Sequence, residues 1–324
     1  MINTTIVLVN YNGWEDTFKC LRSLRALTVP ASIILVDNAS REDRMSEIEA
    51  EFPECITIRN PINGGWAGGN NTGLKYAYEQ GAEQIILLNN DTTVSPKLVE
   101  VLLQTARENP DFGIIGPVIN FMDNPDQVMT DGCKFNHPRH NGFFQREEVP
   151  LSSTLSEVEI VNGCCMMISR KVVDQIGFID ERFFLIHEES DYCLRARENG
   201  FRCGVWGESL VWHKGSSSFK RTGSRIQRYY DARNLFLLLN KHSRKHDTGR
   251  SKIASMSVYL KYVYYRYSLE KESGADDAAE AVLEGLCDAL TRKYGPAKKR
   301  SRWGLPLIRM VFEGMRRVLT RRPS

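Results

Sequence analysis

Residues 5–36 read TIVLVNYNGWEDTFKCLRSLRALTVPASIILV, and two short apolar runs, Thr5–Val9 and Ser32–Val36, bracket a stretch with a different period. Within that stretch Phe18, Leu21, Leu24 and Leu27 recur every three residues, which predicts an amphipathic helix over Trp14–Leu27 between two buried strands. The alternation continues through a helix at Asp43–Phe52, a strand at Cys55–Arg59 and a helix at Asn70–Gln80 that Gly81 can end in a left-handed cap. A strand at Gln84–Leu88 follows, then a helix opened by the Ser95 hydroxyl and Pro96, then a strand at Phe112–Val118. Apolar strands alternating with helices predict an α/β fold, a Rossmann-like and mostly parallel sheet flanked by helices on both faces.

Such sheets bind ligands beyond the carboxyl ends of their strands. Here those positions hold NYNGWED after Val9, DNAS after Val36, NPINGGWAGGNN after Arg59 and NNDTT after Leu88. In the last of these, Asn89 and Asp91 can project into a cleft on the same side. One amide and one carboxylate suit a Mg2+ or Mn2+ ion that draws its other oxygens from substrate phosphates and water; an ordinary Asn/Asp turn is the plain alternative. The glycines around Asn63–Asn71 allow close backbone approach to a ligand, and a helix start there favours an anion. A left-handed loop would use the same residues. Asp37 ends the second strand, where it can meet a nucleoside or simply make an Asx-turn.

Further along, residues 121–156 are turn-rich and read as an irregular loop over a site, Glu157–Ser169 as β-like and Arg170–Gly177 as a short helix. His187-Glu188-Glu189-Ser190-Asp191 opens a helix over Glu188–Asn199 with Gly200 as its cap. Three carboxylates in four positions raise one another's pKa, which is how a general base is prepared, although a solvated acidic first turn would look alike. Cys203–Val205 and Ser209–Trp212 read as short strands, and His213 follows them as a metal ligand, a phosphate contact or a structural imidazole. From about residue 226 the chain reads as helical, with a soft boundary near 241–250; Ala278–Leu290 is the core of a helical subdomain.

In order, VLVNYNG, VDNAS, NGGWAGGNN, LLNNDT, VNGCCMMISR, FFLIHEESDYCLRARENG, VWHKGSSS and YYDARN resemble the family 2 glycosyltransferases of the rhamnosyltransferase type over roughly residues 4–240. The resemblance implies a GT-A domain at 1–240, a helical region at 241–324, a nucleotide-sugar donor (dTDP- or UDP-linked), a divalent metal and inversion at the anomeric carbon. It places Asn10, Tyr11 and Asp37 at the nucleoside and Asn63, Gly68, Gly69 and Asn70 against the donor. It makes Asn89, Asp91 and His213 the metal group with Asn90 facing substrate, and Glu189 the base with Glu188 and Asp191 beside it. Trp66 and Arg233-Asn234 also sit at family-like positions. Two departures stand out: N-N-D replaces D-x-D, and Glu stands where many relatives have Asp. The implied acceptor is a hydroxyl of a cell-surface glycan or lipid-linked sugar. Two rivals remain, a non-catalytic nucleotide-sugar-binding relative and a nucleotidyltransferase; the second would need a basic glycine-rich loop after the first strand, and Asn10–Trp14 has one glycine and no base.

Charge and composition bound the rest. Of 43 basic and 40 acidic residues, eleven bases and one acid (Glu313) lie between Arg292 and Arg322, so the preceding residues hold 32 against 39, a net charge of −7. An acidic body argues against nucleic acid as partner, and the basic tail toward an anionic surface. Over 300–322, Ile308, Val311, Phe312, Met315, Val318 and Leu319 form one stripe beside arginines, with Trp303 at its start, as in a helix lying in a membrane plane. A helix packed on the catalytic domain or on a second copy in a homo-oligomer is the alternative. Without a signal-like or bilayer-spanning stretch, and with eight cysteines lacking CxxC spacing, the expected setting is the cytoplasm or the inner face of the cell membrane, with reduced thiols.

Overall fold

The computed structural model describes residues 3–135, 144–215, 224–242, 249–299 and 301–320, with side chains of 249–254 and 317–320 left aside. The described chain forms two compact units, the first from 3–135, 144–184 and 188–215, the second from 185–187 and everything from 224 onward.

The first unit carries β1 (Thr4–Asn10), α1 (Trp14–Leu24), β2 (Ser32–Asp37), α2 (Met45–Glu51), β3 (Cys55–Arg59), α3 (Gly65–Glu79), β4 (Gln84–Asn89), β5 (Thr92–Val94) and α4 (Leu98–Glu108). It continues with β6 (Phe112–Phe121), β7 (Val128–Thr130), β8 (Cys133–Phe135), β9 (Phe144–Arg146), β10 (Leu155–Val158), β11 (Cys165–Ser169), α5 (Arg170–Ile176), α6 (Glu188–Glu198) and β12 (Arg202–His213). The main sheet runs in the order β10-β12-β6-β11-β4-β1-β2-β3, with β5 on β12 and β7 on β6. β3, β2, β1 and β4 are parallel neighbours, while β11 is antiparallel to both β4 and β6. Both faces are covered, which is why the strands are apolar throughout. Ile6, Leu8, Ile86 and Leu88 pack with α1, α2 and α4 on one side; Val7, Ile85 and Leu87 pack with α3, α5 and α6 on the other.

Several elements differ from the sequence reading, each for a local reason. Helix α3 starts at Gly65, five residues before Asn70, so most of the glycine stretch is helix and not loop. A Cβ at Gly69 would lie 2.6 Å from Val9 and one at Gly73 2.3 Å from Val7, so glycine lets this helix lie flush on β1 at a propensity cost of about 1 kcal/mol each. Helix α4 starts at Leu98; Ser95 Oγ accepts from the Lys97 N–H and so closes the turn ahead of the helix. The two short strands expected after 202 are one strand, β12, whose register slips between Trp206 and Ser209. The stretch expected to be irregular holds β7, β8, β9 and the start of β10, and residues 136–143 of it lie outside the described residues.

The second unit contains α7 (Arg225–His242), α8 (Gly249–Glu272), α9 (Asp276–Leu290) and α10 (Leu305–Thr320). α7 thus groups with the later helices, ahead of the expected division at 240. Several of its buried polar residues pair with one another. Asp231 accepts from Tyr262 at 2.7 Å, Tyr229 donates to Asp288 at 2.6 Å, and Arg233 is fully buried over the Tyr230 ring.

Candidate active site

The carboxyl ends of β1, β2 and β4 lie side by side, Asn10 opposite Asp37 and Val9 opposite Asn89. Asn10 is fully buried and every amide atom is used. Its Nδ2 donates to Asp37 Oδ1 (3.1 Å) and Ser40 Oγ (3.0 Å); its Oδ1 accepts from Gly13 N–H and Thr17 Oγ. Asp37 is buried too, and its second oxygen accepts the Ser40 N–H three residues on, one residue beyond the Asx-turn weighed from sequence. Asn90 turns the same way, its amide donating to Thr17 Oγ at 2.8 Å. Tyr11 stands apart, 48% exposed at the end of β1.

The glycine stretch is organised by a residue the sequence reading quoted without assigning a role. Asn38, buried, donates to Asn63 Oδ1 and Gly65 O and accepts from Gly64 N–H and Asn60. Asn63 in turn accepts the Gly65 N–H at 2.7 Å, where Gly65 has a φ of +70° and a Cβ would strike Phe184 O at 2.1 Å. Asn70 is buried and donates to Trp66 O. Gly69 packs on protein, whereas Gly68 faces open space. The signal for Asn38 was there, a second amide directly after a strand-ending Asp, but its partners lie 22 to 27 residues away.

Asp91 and His213 meet although 122 positions apart, Nε2 to Oδ1 at 2.9 Å. Two strands bring them together: β5 begins one residue after Asp91, and Thr92 pairs with His213 at the end of β12. The Lys214 N–H donates to Asp91 O, and Lys214 Nζ is bound by Asp16 at 3.0 Å, a basic group at this edge that the sequence reading did not assign. That pairing pushes the Lys214 ammonium pKa up. The other imidazole nitrogen of His213 lies 3.3 Å from Met129 Sδ. Cys164 is close enough for Asp91 to bear on it, and burial pushes its thiol well up, so it stays neutral and offers no thiolate. Asn89 Oδ1 accepts from the Trp66 indole at 3.1 Å.

The acidic cluster separates into three fates. Asp191 is fully buried and paired with Arg195 at 2.9 Å, whose other donors hold Ile176 O and Phe178 O; it is a structural carboxylate. Glu188 is buried with one oxygen lacking a partner, and burial with the charge of Glu189 pushes its carboxyl well above the usual range. Glu189 is partly exposed. It also lies next to the indole: a Cβ on Gly163 would sit 3.1 Å from Trp66 Cζ2 and 3.2 Å from Glu189 Cβ. Glu189, Gly163, Trp66 and Asn89 therefore form a continuous wall leading to the Asp91–His213 pair. Ahead of Glu188, Phe184, Ile186 and His187 all have positive φ, a strained run of roughly 1–3 kcal/mol per residue. Asn234 donates to Leu185 O and Ile186 O at 2.7 and 2.8 Å, and His187 meets Asp231 at 3.1 Å.

Among the described residues no three His, Cys, Asp or Glu side chains gather as a metal cage. The pair Asp91–His213 fits a hard divalent ion that completes its shell from elsewhere, with one oxygen and one imidazole donor and no competing thiolate.

The sequence model of the family described as Glycosyl transferase family 2 matches residues 5–177. The chain is 28% identical over 244 residues to the low-salt glycan biosynthesis hexosyltransferase Agl10 of Haloferax volcanii, covering 73% of this chain and 75% of that one. It is 27% identical over 255 residues to the dTDP-rhamnosyl transferase RfbF of Shigella flexneri, covering 74% and 81%. Among solved structures it is similar to the mannosyltransferase PcManGT from Pyrobaculum calidifontis in complex with GDP-Man and Mn2+, with a TM-score of 0.54 and 14% identity over 98% of this chain and 80% of the other. At that identity the likeness shows the fold.

Proposed function

The chain is a GT-A glycosyltransferase belonging to family 2, and from that premise we propose that it transfers a hexosyl group, rhamnose from a dTDP donor, to a hydroxyl of a cell-surface glycan or lipid-linked acceptor with inversion. The observation that carries the reading is the meeting of Asp91 and His213 at one end of a wall whose other end is Glu189. One arm can hold a diphosphate and the other can take a proton.

Asp91 and His213 would hold Mg2+ or Mn2+, which when bound supplies charge neutralisation for the departing diphosphate. Lys214, next in the chain after His213 and held by Asp16, can offer its ammonium to the diphosphate when it leaves that ion pair. Tyr11 offers a ring face to the nucleobase, while Asn10, Asp37, Asn38, Asn63 and Asn90 fix the loops around it. Gly68, with open space over it, allows the donor to approach the backbone of α3. Trp66 holds Asn89 in place and presents its ring beside Glu189. Glu189 accepts the proton of the acceptor hydroxyl as that oxygen bonds to the anomeric carbon. The bond from that carbon to the diphosphate oxygen breaks, and its electron pair leaves with the diphosphate. One displacement gives inversion and needs no covalent sugar on the enzyme. Burial and the charge of Glu189 favour the protonated form of Glu188, which limits the negative charge beside Glu189.

The dTDP-rhamnosyl relative supports the donor choice, and the neighbour solved with GDP-Man and Mn2+ supports a divalent metal. Thermal stabilisation by dTDP, UDP, GDP and CDP, each with and without Mn2+, tests both. A shift selective for dTDP and dependent on Mn2+ is expected; none with any nucleotide overturns the donor site, and a shift without sugar transfer favours the non-catalytic rival. The anomeric configuration of the product tests inversion.

A further inference from the structure

Helix α10 is apolar over more than half its circumference, and the structure divides that surface in two. Phe312 is buried with its ring 5.6 Å from both Tyr264 and Tyr267, and Ile308 is half-buried on the same side. The other half is uncovered. Trp303 just ahead of the helix is 91% exposed, and Leu307, Met310, Val311 and Met315 are 60, 65, 48 and 43% exposed. Leu307, Met310, Val311 and Gly314 follow the spacing i, i+3, i+4, i+7, so they make one ridge along the helix. The stripe expected from sequence mixed the two halves: it included Phe312, which anchors the helix, and lacked Leu307 and Met310, which lead the ridge. Its members Val318 and Leu319 lie outside the described side chains.

The charges near the ridge also divide. Arg309 is paired with Glu280, and Arg302 with Asp288 and Glu284, so these serve packing. Lys298 and Lys299 are exposed and have no ion pair among the described residues. We infer that the ridge from Trp303 to Met315, flanked by Lys298 and Lys299, docks on an anionic lipid surface with α10 lying in its plane. Hydrophobic side chains of this kind gain from burial among acyl chains while the bases meet the headgroups. A second copy of the chain is the poorer occupant. Apposing two such faces sets the exposed Lys298 and Lys299, which have no ion pair among the described residues, against their own copies. Among the described residues no helix is long and apolar enough to cross a bilayer, so contact is at the surface. The inference stands apart from the transfer reaction and does not need it.

The test uses the full chain, sedimented with phosphatidylcholine vesicles that contain or lack phosphatidylglycerol, while light scattering follows its mass. Binding to the anionic vesicles only is expected, weakening as salt is raised. The variant Leu307→Ser/Met310→Ser/Val311→Ser lowers that binding about tenfold or more, and Lys298→Glu/Lys299→Glu about tenfold. Both keep the parent's thermal midpoint and its stabilisation by nucleotide, because every changed side chain is on the surface. No binding by the parent overturns the inference, as does equal binding by the triple variant. So does a dimer that the triple variant splits, in a chain that ignores vesicles; that result gives the ridge to a second copy.

Discussion

Two regions at the carboxyl end of the sheet are built on opposite terms. Around β1 and β2, Asn10, Asp37, Asn38, Asn63 and Asn90 spend their polar atoms on each other and on nearby backbone. From Asp91 to Glu189 the polar groups keep capacity in reserve: a carboxylate and an imidazole joined by one bond, a half-open Glu189, and a Glu188 oxygen without a partner. The difference teaches where to look for chemistry in a motif-rich sheet. Amides packed into a closed lattice define the shape of a pocket, whereas groups left under-committed can change partners during a reaction.

The sharpest way to break this contrast is to remove the proton acceptor. Glu189→Gln keeps size and loses basicity, so kcat should fall about a thousandfold while the thermal midpoint and nucleotide binding stay at parental values. If turnover persists within about tenfold, the base lies elsewhere and the reserve at Glu189 means nothing. Next in size is Asp91→Asn, with activity lower by about a hundredfold. Its distinguishing readout is thermal: the Mn2+-dependent part of the nucleotide-induced shift should vanish while the metal-free part remains.

The closed lattice predicts the reverse pattern. Asn10→Ala strands the buried partners of a fully used amide, at a cost of about 3 kcal/mol. For a unit of this size that is about 9 °C off the thermal midpoint. The surviving folded enzyme should turn over within a few-fold of the parent. A large loss of activity with no loss of stability would move Asn10 from the lattice into the reacting group, and the comparison would have to be redrawn.

How much of this was legible follows from which interactions are local. The strands could be read because burial on both faces leaves only apolar residues in TIVLV, SIILV and QIILL. Asp91 could be picked by kind and place, as an acid directly after a buried strand, whereas Glu189 was set apart from its cluster only by the family resemblance. The bond between Asp91 and His213 could not, because it depends on β5 adding to β12 across 122 positions. The glycines misled for a related reason. Gly69 and Gly73 answer to Val9 and Val7 on another element, so spacing alone made a loop out of what is a helix lying on β1. By residue type alone the acidic cluster holds three equivalents, and the packing sets Asp191, neutralised by Arg195, apart from Glu188 and Glu189.

Glu188 gives the smallest and most diagnostic effect. Its carboxyl is raised far above the ordinary value near 4.5 by burial first and by Glu189 second. An unfolded chain ionises that group as pH rises through 4.5, while the folded chain keeps the proton. Folding is therefore penalised above that pH, and the penalty grows until the pH reaches the raised value. Glu188→Gln removes the titration and keeps the shape of the neutral acid. The variant should be a few degrees more stable than the parent at pH 7, and the gap should close as pH falls toward 4. Its kcat should stay within about threefold of the parent, since a neutral group replaces a neutral group. A gap that stays the same at every pH would mean that Glu188 is ionised in the folded chain. The reserve seen at its unpartnered oxygen would then be a second negative charge beside Glu189, and the proton could be taken by either carboxylate.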